Sequence, residues 1–532
     1  MDSQTLIAKA YDETHYESSA FLQTHPETLA AIGLLFGLQP VHPAHGRVLE
    51  IGCALGDNLI PMALNAPDSQ FVGVDISSSQ IDVAAERAAR LGLRNIKFYS
   101  GSIEHLPDNA GPFDYIICHG VFSWVPESVQ SAILERIRNL LSPQGIAYIS
   151  YNTYPGWHFR DVLKHAIRFH GRHAKGLDEQ HEALKEIADL LAEQGSSRED
   201  TPTARIARVF RKQLDALPPS YLVHEYYEPF NIPLYFSQFA DMLATHQLKF
   251  VGEAHMMDNF PLLHNPELQE KLLAFSGARE EFEQYADLML SRSFRSSLVT
   301  HSTNAVNPNI HPDRIRPFYF ISDFKPARED TASLAPDKKL KFHSRGTGQE
   351  IKASTPITKA ALTCLWHAWP LGFNFNDLVH HAYKVLSRDI NSTPLEEVKK
   401  EALQLCQDLL ELYAGGHLRF PRVSPPLCTN QVSSAPLLSP VARQQLQNSE
   451  SGQVTNQLHC TVRLEPLVRE VALLCNGQRS QTEIEVALTG ILRSRGTELG
   501  IKPELLVRPE GAAKDAVRLG LAVLRDHALL VG

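Results

Sequence analysis

Over its first 150 residues the chain alternates between two hydrophobic periods. Short β-rich runs fall at 47–52 (RVLEIG), 71–76 (FVGVDI), 96–101 (IKFYSG), 113–120 (FDYIICHG) and 145–152 (GIAYISYN). Helical stretches such as 79–92 (SQIDVAAERAARLG) separate them. This alternation predicts an α/β fold with a parallel sheet and crossover helices. Ile133, Leu134, Ile137, Leu140 and Leu141 form one apolar helical face, stopped by Pro143 and Gly145, that leads into the fifth strand.

From Trp157 to about residue 219 the pattern is helical and polar, and 236–254 (FSQFADMLATHQLKFVGEA) then reads as a helix followed by a strand. The sheet resumes there, so residues 157–228 are predicted to form a helical insertion at the edge where the carboxyl ends of the strands face a ligand. Such a position suits dimerisation or substrate docking. Residues 265–300 read as helical, closing a middle region at 229–322, and the polar stretch 323–350 reads as a linker. Three amphipathic helices and a short strand over 416–423 give 351–423 a winged-helix-like pattern. A Ser/Pro/Gln/Asn-rich loop at 424–456 precedes a last helical domain at 457–532. The first domain is drawn as 1–156.

Length agrees with this division, since 532 residues at roughly 150 per domain give three or four domains. No apolar run near the start exceeds Ala30–Leu38, well short of the roughly 18 residues of a membrane span. No basic-then-apolar leader is readable at the start either, so a cytoplasmic location is expected. The seven cysteines, at 53, 118, 364, 406, 428, 460 and 475, are scattered without a CxxC pair. They predict reduced thiols and no metal site. A formal charge of −9 opposes attraction to phosphate backbones, so no nucleic-acid partner is expected.

Candidate chemistry begins at Glu50-Ile51-Gly52-Cys53-Ala54-Leu55-Gly56-Asp57, a buried strand ending in a glycine-containing turn that opens a helix. Glycine serves where backbone must approach a ligand closely. A dinucleotide fingerprint would place its second glycine where Ala54 stands, so a pyrophosphate cofactor is disfavoured. Glu50 inside the motif suits a cationic amino-acid cofactor instead. The second strand ends at Asp75, 25 residues beyond Glu50, where a carboxylate can accept both hydroxyls of a ribose.

These features resemble the class I S-adenosyl-L-methionine-dependent methyltransferases, with VLEIGCALG as the glycine-rich cofactor motif and GVD as the ribose-binding strand end. The resemblance implies a Rossmann-like catalytic domain in which Glu50, Gly52 and Gly56 line the methionine side. It further implies that Asp75 binds ribose, that Ser102 and Ile103 contact adenine, and that Ile76 and His119 complete the set. Ser102 stands where many members carry Asp, a weaker acceptor for the adenine amino group. Tyr11 and Tyr16 would belong to a lid.

The segments 23–40, 151–158 (YNTYPGWH), 224–236 and 283–298 narrow the likeness. Over about residues 10–300 the chain resembles bacterial methyltransferases with a methyltransferase regulatory domain. Among these are the protein lysine methyltransferases that modify outer-membrane protein B. That resemblance implies N-methylation of protein lysines by a homodimer with helical and winged-helix-like domains behind the catalytic one.

A lysine amine must lose a proton, from a pKa near ~10.4, before it attacks. Tyr151, Asn152, Tyr154 and His119, just past the fifth and fourth strands, are the candidate groups around the acceptor. Trp157 reads as a core anchor or a face for a cation. Arg160, Lys164, Arg168 and Arg172 recur every four residues as a cationic stripe, either solvated or guiding an acidic partner. Two other readings compete: a small-molecule methyltransferase, with the insertion as a lid, and a peptide-binding module that the cofactor regulates.

Overall fold

A computed structural model describes residues 19–193, 201–228, 230–263, 265–329, 331–419 and 421–531. Its centre is a seven-stranded sheet in the order β3-β2-β1-β4-β5-β7-β6. The strands are β1 (Arg47–Ile51), β2 (Gln70–Asp75), β3 (Ile96–Ser100), β4 (Phe113–Cys118), β5 (Leu141–Asn152), β6 (Leu248–Glu253) and β7 (Phe294–His301). β1 pairs in parallel with both β2 and β4, so the chain reverses its direction of winding at β1. A ligand crevice opens at such a reversal, outside the carboxyl ends of the strands.

The first five strands lie where the alternation predicts them. The seventh differs: the reading of 265–300 as helical is corrected, because helices Pro266–Phe275 and Arg279–Leu290 are followed by β7, antiparallel to both β5 and β6. β7 hides from pattern analysis because its buried positions include Arg295, Ser296, Ser297 and Thr300. The Arg295 guanidinium, wholly buried, reaches Glu253 on β6 at 2.6 Å, and Glu283 and Asp287 on helix Arg279–Leu290 at 2.9 and 2.8 Å. Glu253 also accepts the Ser296 N–H and the Ser297 hydroxyl.

Along β5, Ala147, Ile149 and Tyr151 face one core with Phe239 and Ile133, whereas Ile146 and Tyr148 face the opposite one with Leu29 and Ile32. The second of these cores runs on without a break through Phe318, Phe342 and Leu365 to Leu405 and Leu409. Helix Pro26–Leu35 lies inside it and is buried on nearly every side, as expected of a helix apolar all round.

Between β5 and β6, helices Gly156–His170, Gly176–Glu193, Pro202–Leu214 and Pro219–Tyr227 close around a small core of their own, with Leu163, Leu184, Phe210 and Tyr226 inside it. The stretch read as a linker, 323–350, instead contributes to a three-stranded antiparallel sheet of Phe324–Pro326, Leu340–Ser344 and Glu350–Ala353. Likewise 424–456 holds helix Pro440–Asn448, and 416–423 makes only an isolated bridge from Arg422 to Tyr319 among the described residues. Short pairings of this kind give no periodic signal. Near the C-terminus, Gln453–Thr455 and Thr461–Arg463 form a hairpin packed among helices. All seven cysteines are free thiols. Among the described residues no helix is long and apolar enough to cross a membrane.

Removing one member of a buried charge network leaves the others uncompensated. Arg295→Met is expected to lower unfolding free energy by about 3 to 5 kcal/mol in denaturant titrations. The ion pair holds the Glu253 carboxyl below its ordinary range, although burial opposes this. Its stabilisation is therefore present above the unfolded value and lost as pH falls. The gap between variant and wild type should narrow below about pH 5, where the carboxylates protonate.

Candidate active site

One cavity of about 510 Å³ opens at the carboxyl ends of β1, β2, β4 and β5. Glu50, Gly52, Asp75, Ile76, Ser102, Ile103, His119 and Asn152 all line it. The turn after β1 shapes the inner end. Gly52 and Gly56 have φ of 75° and 76°, and a Cβ on Gly52 would run into Val121. The Gly52 N–H donates to Val74 O at 2.8 Å, clamping the turn against β2. Gly56 shapes the turn without lining the cavity.

Asp75 is held from two sides: Oδ2 accepts the Ala54 N–H at 2.8 Å and Oδ1 the Ser77 N–H at 2.9 Å. Glu50 is buried, and its Oε1 accepts from Asn58 Nδ2 at 2.6 Å. Its Oε2 is buried with no protein partner. Burial raises the Glu50 carboxyl to about 8; the Asn58 bond opposes this, and the Asp75 charge adds to it. An orphaned acidic oxygen is costly unless a ligand satisfies it. A cationic group fits it, and so the residues present fit S-adenosylmethionine.

His119 is driven down to about 4, by burial first and the His255 charge second, so the ring is neutral at physiological pH. Its Nδ1 meets the Tyr148 hydroxyl at 2.9 Å, and that hydroxyl donates to Ser296 Oγ on β7. Asn152 donates from Nδ2 to Asn231 Oδ1 at 2.9 Å, and its backbone N–H donates to Ser123 Oγ at 2.8 Å. β7 pairs Phe294 with Asn152, which brings Ser293 and Phe294 to the cavity wall.

Two residues predicted beside the acceptor lie elsewhere. Tyr151 points to the other face of β5, 1% exposed and stacked on Phe239 at 4.2 Å, because neighbouring strand residues face opposite sides. Tyr154 stacks on His158 at 3.9 Å and reaches toward Asp161, outside the cavity. Tyr11 and Tyr16 lie outside the described residues. Trp157 is an anchor of the core, set edge-on to Trp124.

The outer end of the cavity was not legible in sequence. Trp124 follows β4, and Arg160, Tyr221, His224 and Glu225 come from the insertion. Arg160 pairs with the buried Glu225 at 2.9 Å and lies over the Trp157 ring. Lys164 is buried near the Trp124 ring and pushed down to about 8, chiefly by burial. The stripe is therefore not a solvated face at this end; Arg168 and Arg172 alone stay exposed. Burial also raises the Glu225 carboxyl, against the pull of Arg160. Phe21, Gln23 and Asn58 close the inner side. Asn58 lies two residues beyond Gly56, and that spacing was the available signal for it.

Comparison with known proteins agrees with this geometry. Residues 42–200 match a methyltransferase domain, 218–301 a predicted methyltransferase regulatory domain, and 434–529 the PKMT C-terminal winged helix domain. That last match lies beyond 351–423, the unit whose pattern suggested a winged helix. An uncharacterized protein of Rickettsia prowazekii is 32% identical over 403 residues, covering 75% of this chain and 72% of the relative. A second from the same organism is 38% identical over 234 residues, covering 44% of this chain and 92% of the relative. The structure of PKMT2 from Rickettsia typhi superposes with a TM-score of 0.85 at 27% identity, covering 97% of this chain and all of that one. A further structure of PKMT2 is in complex with AdoHcy and superposes equally well, at 26% identity. The chain belongs to the class I S-adenosylmethionine-dependent methyltransferases that carry a methyltransferase regulatory domain and a PKMT C-terminal winged helix domain.

Proposed function

We propose that this enzyme methylates lysine side chains of a protein substrate of the outer-membrane type, acting as a homodimer. The observation that carries the reading is the continuity of one cavity from Glu50 and Asp75 to Trp124, His224 and Glu225. Its inner end offers two carboxylates to a cationic nucleoside. Its outer end offers a carboxylate and an aromatic face, which suit a long cationic side chain. The likeness to PKMT2, crystallised with AdoHcy, supports the same reading.

When bound, the cofactor supplies an electrophilic methyl group on a sulfonium. Glu50 Oε2 would hold the ammonium end, Asp75 the ribose hydroxyls, and Ile76, Ser102 and Ile103 the adenine side. Asp75 is already fixed by two backbone N–H groups, so little reorganisation accompanies binding. At the acceptor end, the neutral His119 and Asn152 orient the amine, and Trp124 shields it from water. Glu225, its carboxyl raised by burial, is suited to receive the proton that the ammonium loses before attack.

A lysate incubated with methyl-labelled cofactor tests the reaction. Label in a protein band, on lysine by mass spectrometry, is expected with wild type and absent with Asp75→Ala; label confined to small molecules would establish a metabolite enzyme instead. Glu50 makes a separate prediction. With its carboxyl at about 8 it is protonated at pH 7, and a cation displaces that proton. The Asp75 charge stabilises the protonated form further. Calorimetry of S-adenosylhomocysteine in buffers of different ionisation enthalpy should therefore show release approaching one proton at pH 7, and none from Glu50→Gln.

The homodimer reading rests on helix Gly156–His170, whose outer face exposes Phe159, Val162 and Phe169 at 50%, 43% and 72%. Contiguous exposed apolar side chains mark association surfaces. Light scattering should give twice the chain mass for wild type and a single chain for the double variant Phe159→Asp, Phe169→Asp.

A further inference from the structure

The turn of the C-terminal hairpin, residues 456–460, is almost entirely buried, although hairpin turns ordinarily lie at the surface. It is driven into the catalytic domain tip first. His459 sits there at 2% exposure with φ of 58°, the left-handed region. The turn is braced from within: Asn456 Oδ1 accepts the Leu458 and Cys460 N–H groups, and the Gln457 N–H donates to Ala528 O. The imidazole is thus presented to the catalytic domain by a rigid loop.

Its Nε2 lies 2.8 Å from Asn58 Oδ1. The roles in this contact follow from a third group. The Phe21 backbone N–H can only donate, and it points at the same Asn58 atom from 3.0 Å, so that atom is the oxygen. His459 Nε2 must then carry the proton and donate. With its oxygen so held, Asn58 turns Nδ2 toward Glu50 Oε1 at 2.6 Å and Thr24 Oγ1 at 3.0 Å. Burial keeps the His459 ring neutral, which preserves the Nε2 lone proton and spares the site a second buried cation. His25 meets the ring edge-on at 4.8 Å from the other side.

We infer that His459 is a positioning residue for the cofactor site: through Asn58 it orients the Glu50 carboxylate, so the C-terminal domain completes the catalytic domain's cleft from about 400 residues away. The inference rests on the cofactor occupying that cleft. No local pattern joins the two positions, since nothing in the 456–460 turn resembles a ligand-binding motif.

Two substitutions in the full chain separate positioning from mere packing. Asparagine is at ease in the left-handed region but too short to reach Asn58, so His459→Asn keeps the turn and withdraws the donor. Glutamine places its amide N–H near the position of Nε2, so His459→Gln restores the contact. Titration calorimetry with S-adenosylhomocysteine is expected to show about tenfold weaker binding for His459→Asn and binding within about threefold of wild type for His459→Gln. Both variants should melt cooperatively, and saturating S-adenosylhomocysteine should raise the melting temperature of His459→Gln more than that of His459→Asn. Equal affinity of wild type and His459→Asn would overturn the inference, as would a loss in His459→Gln as large as in His459→Asn. A wild type that does not bind S-adenosylhomocysteine would instead overturn the cofactor reading itself.

Discussion

The sheet depends on a charge that has no access to water. Arg295 sits on β7, the strand that runs antiparallel between β5 and β6, and its guanidinium is shared among Glu253, Glu283 and Asp287. Burying an ion costs several kcal/mol, and that cost is offset only when geometry and hydrogen bonding are nearly complete. Completeness is what the network supplies, with Ser296 and Ser297 filling the remaining acceptors of Glu253 and the Phe236 ring lying 4.2 Å beneath the guanidinium. A network of this kind tolerates one register. A slip of β7 by one residue would turn Arg295 to the other face and take its charge away from three buried carboxylates. That register brings Phe294 opposite Asn152, and Ser296 under the hydroxyl that holds His119. The acceptor end of the cavity therefore inherits its geometry from a structural ion cluster.

The cofactor end works by a different balance. Glu50 and Asp75 approach one cleft with like charge, and burial makes ionisation of Glu50 unfavourable on its own. Backbone N–H groups stabilise Asp75, and a single amide stabilises Glu50. Asp75 is thus held in place by the backbone, whereas Glu50 is poised to change state. A neutral ligand would gain little from such an arrangement. A cation gains both the Coulomb attraction of a low-dielectric site and relief of an orphaned oxygen.

What the sequence disclosed, and what it hid, follows from the range over which each signal acts. β1 to β5 were legible because buried parallel strands are apolar runs bounded by turns, and Glu50, Gly52 and Asp75 were legible because they sit at the ends of such runs. Glycine at 52 and 56 announced a turn, and both take a positive φ in it. β7 was not legible because its buried face is charged, and 323–350 was not because its strands have at most five residues. Tyr151 and Asn152 illustrate a finer limit: both leave β5 at the active-site edge, and only the parity of the strand decides that Asn152 faces the cavity while Tyr151 faces Phe239. The neighbouring apolar positions do not reveal that parity, because Ile146 and Ile149 face cores on opposite sides of the sheet. Glu225 and His459 lay beyond local inference altogether, since they reach the cavity and its inner wall by tertiary packing.

The distribution of these groups sets how the site can assemble. The inner wall needs the hairpin turn at 456–460, the outer wall needs the insertion, and the floor needs β7. The catalytic sheet and the middle helices share one uninterrupted apolar core, so they are expected to fold together, whereas the insertion and the C-terminal domain each have a core of their own. A unit with its own core can loosen while the rest stays folded. Loosening the insertion would open the acceptor end without touching Asp75, and loosening the C-terminal domain would release Asn58 without touching Glu225. The two ends of a single cavity are thus walled by units with separate cores, so the acceptor end and the cofactor end need not loosen together.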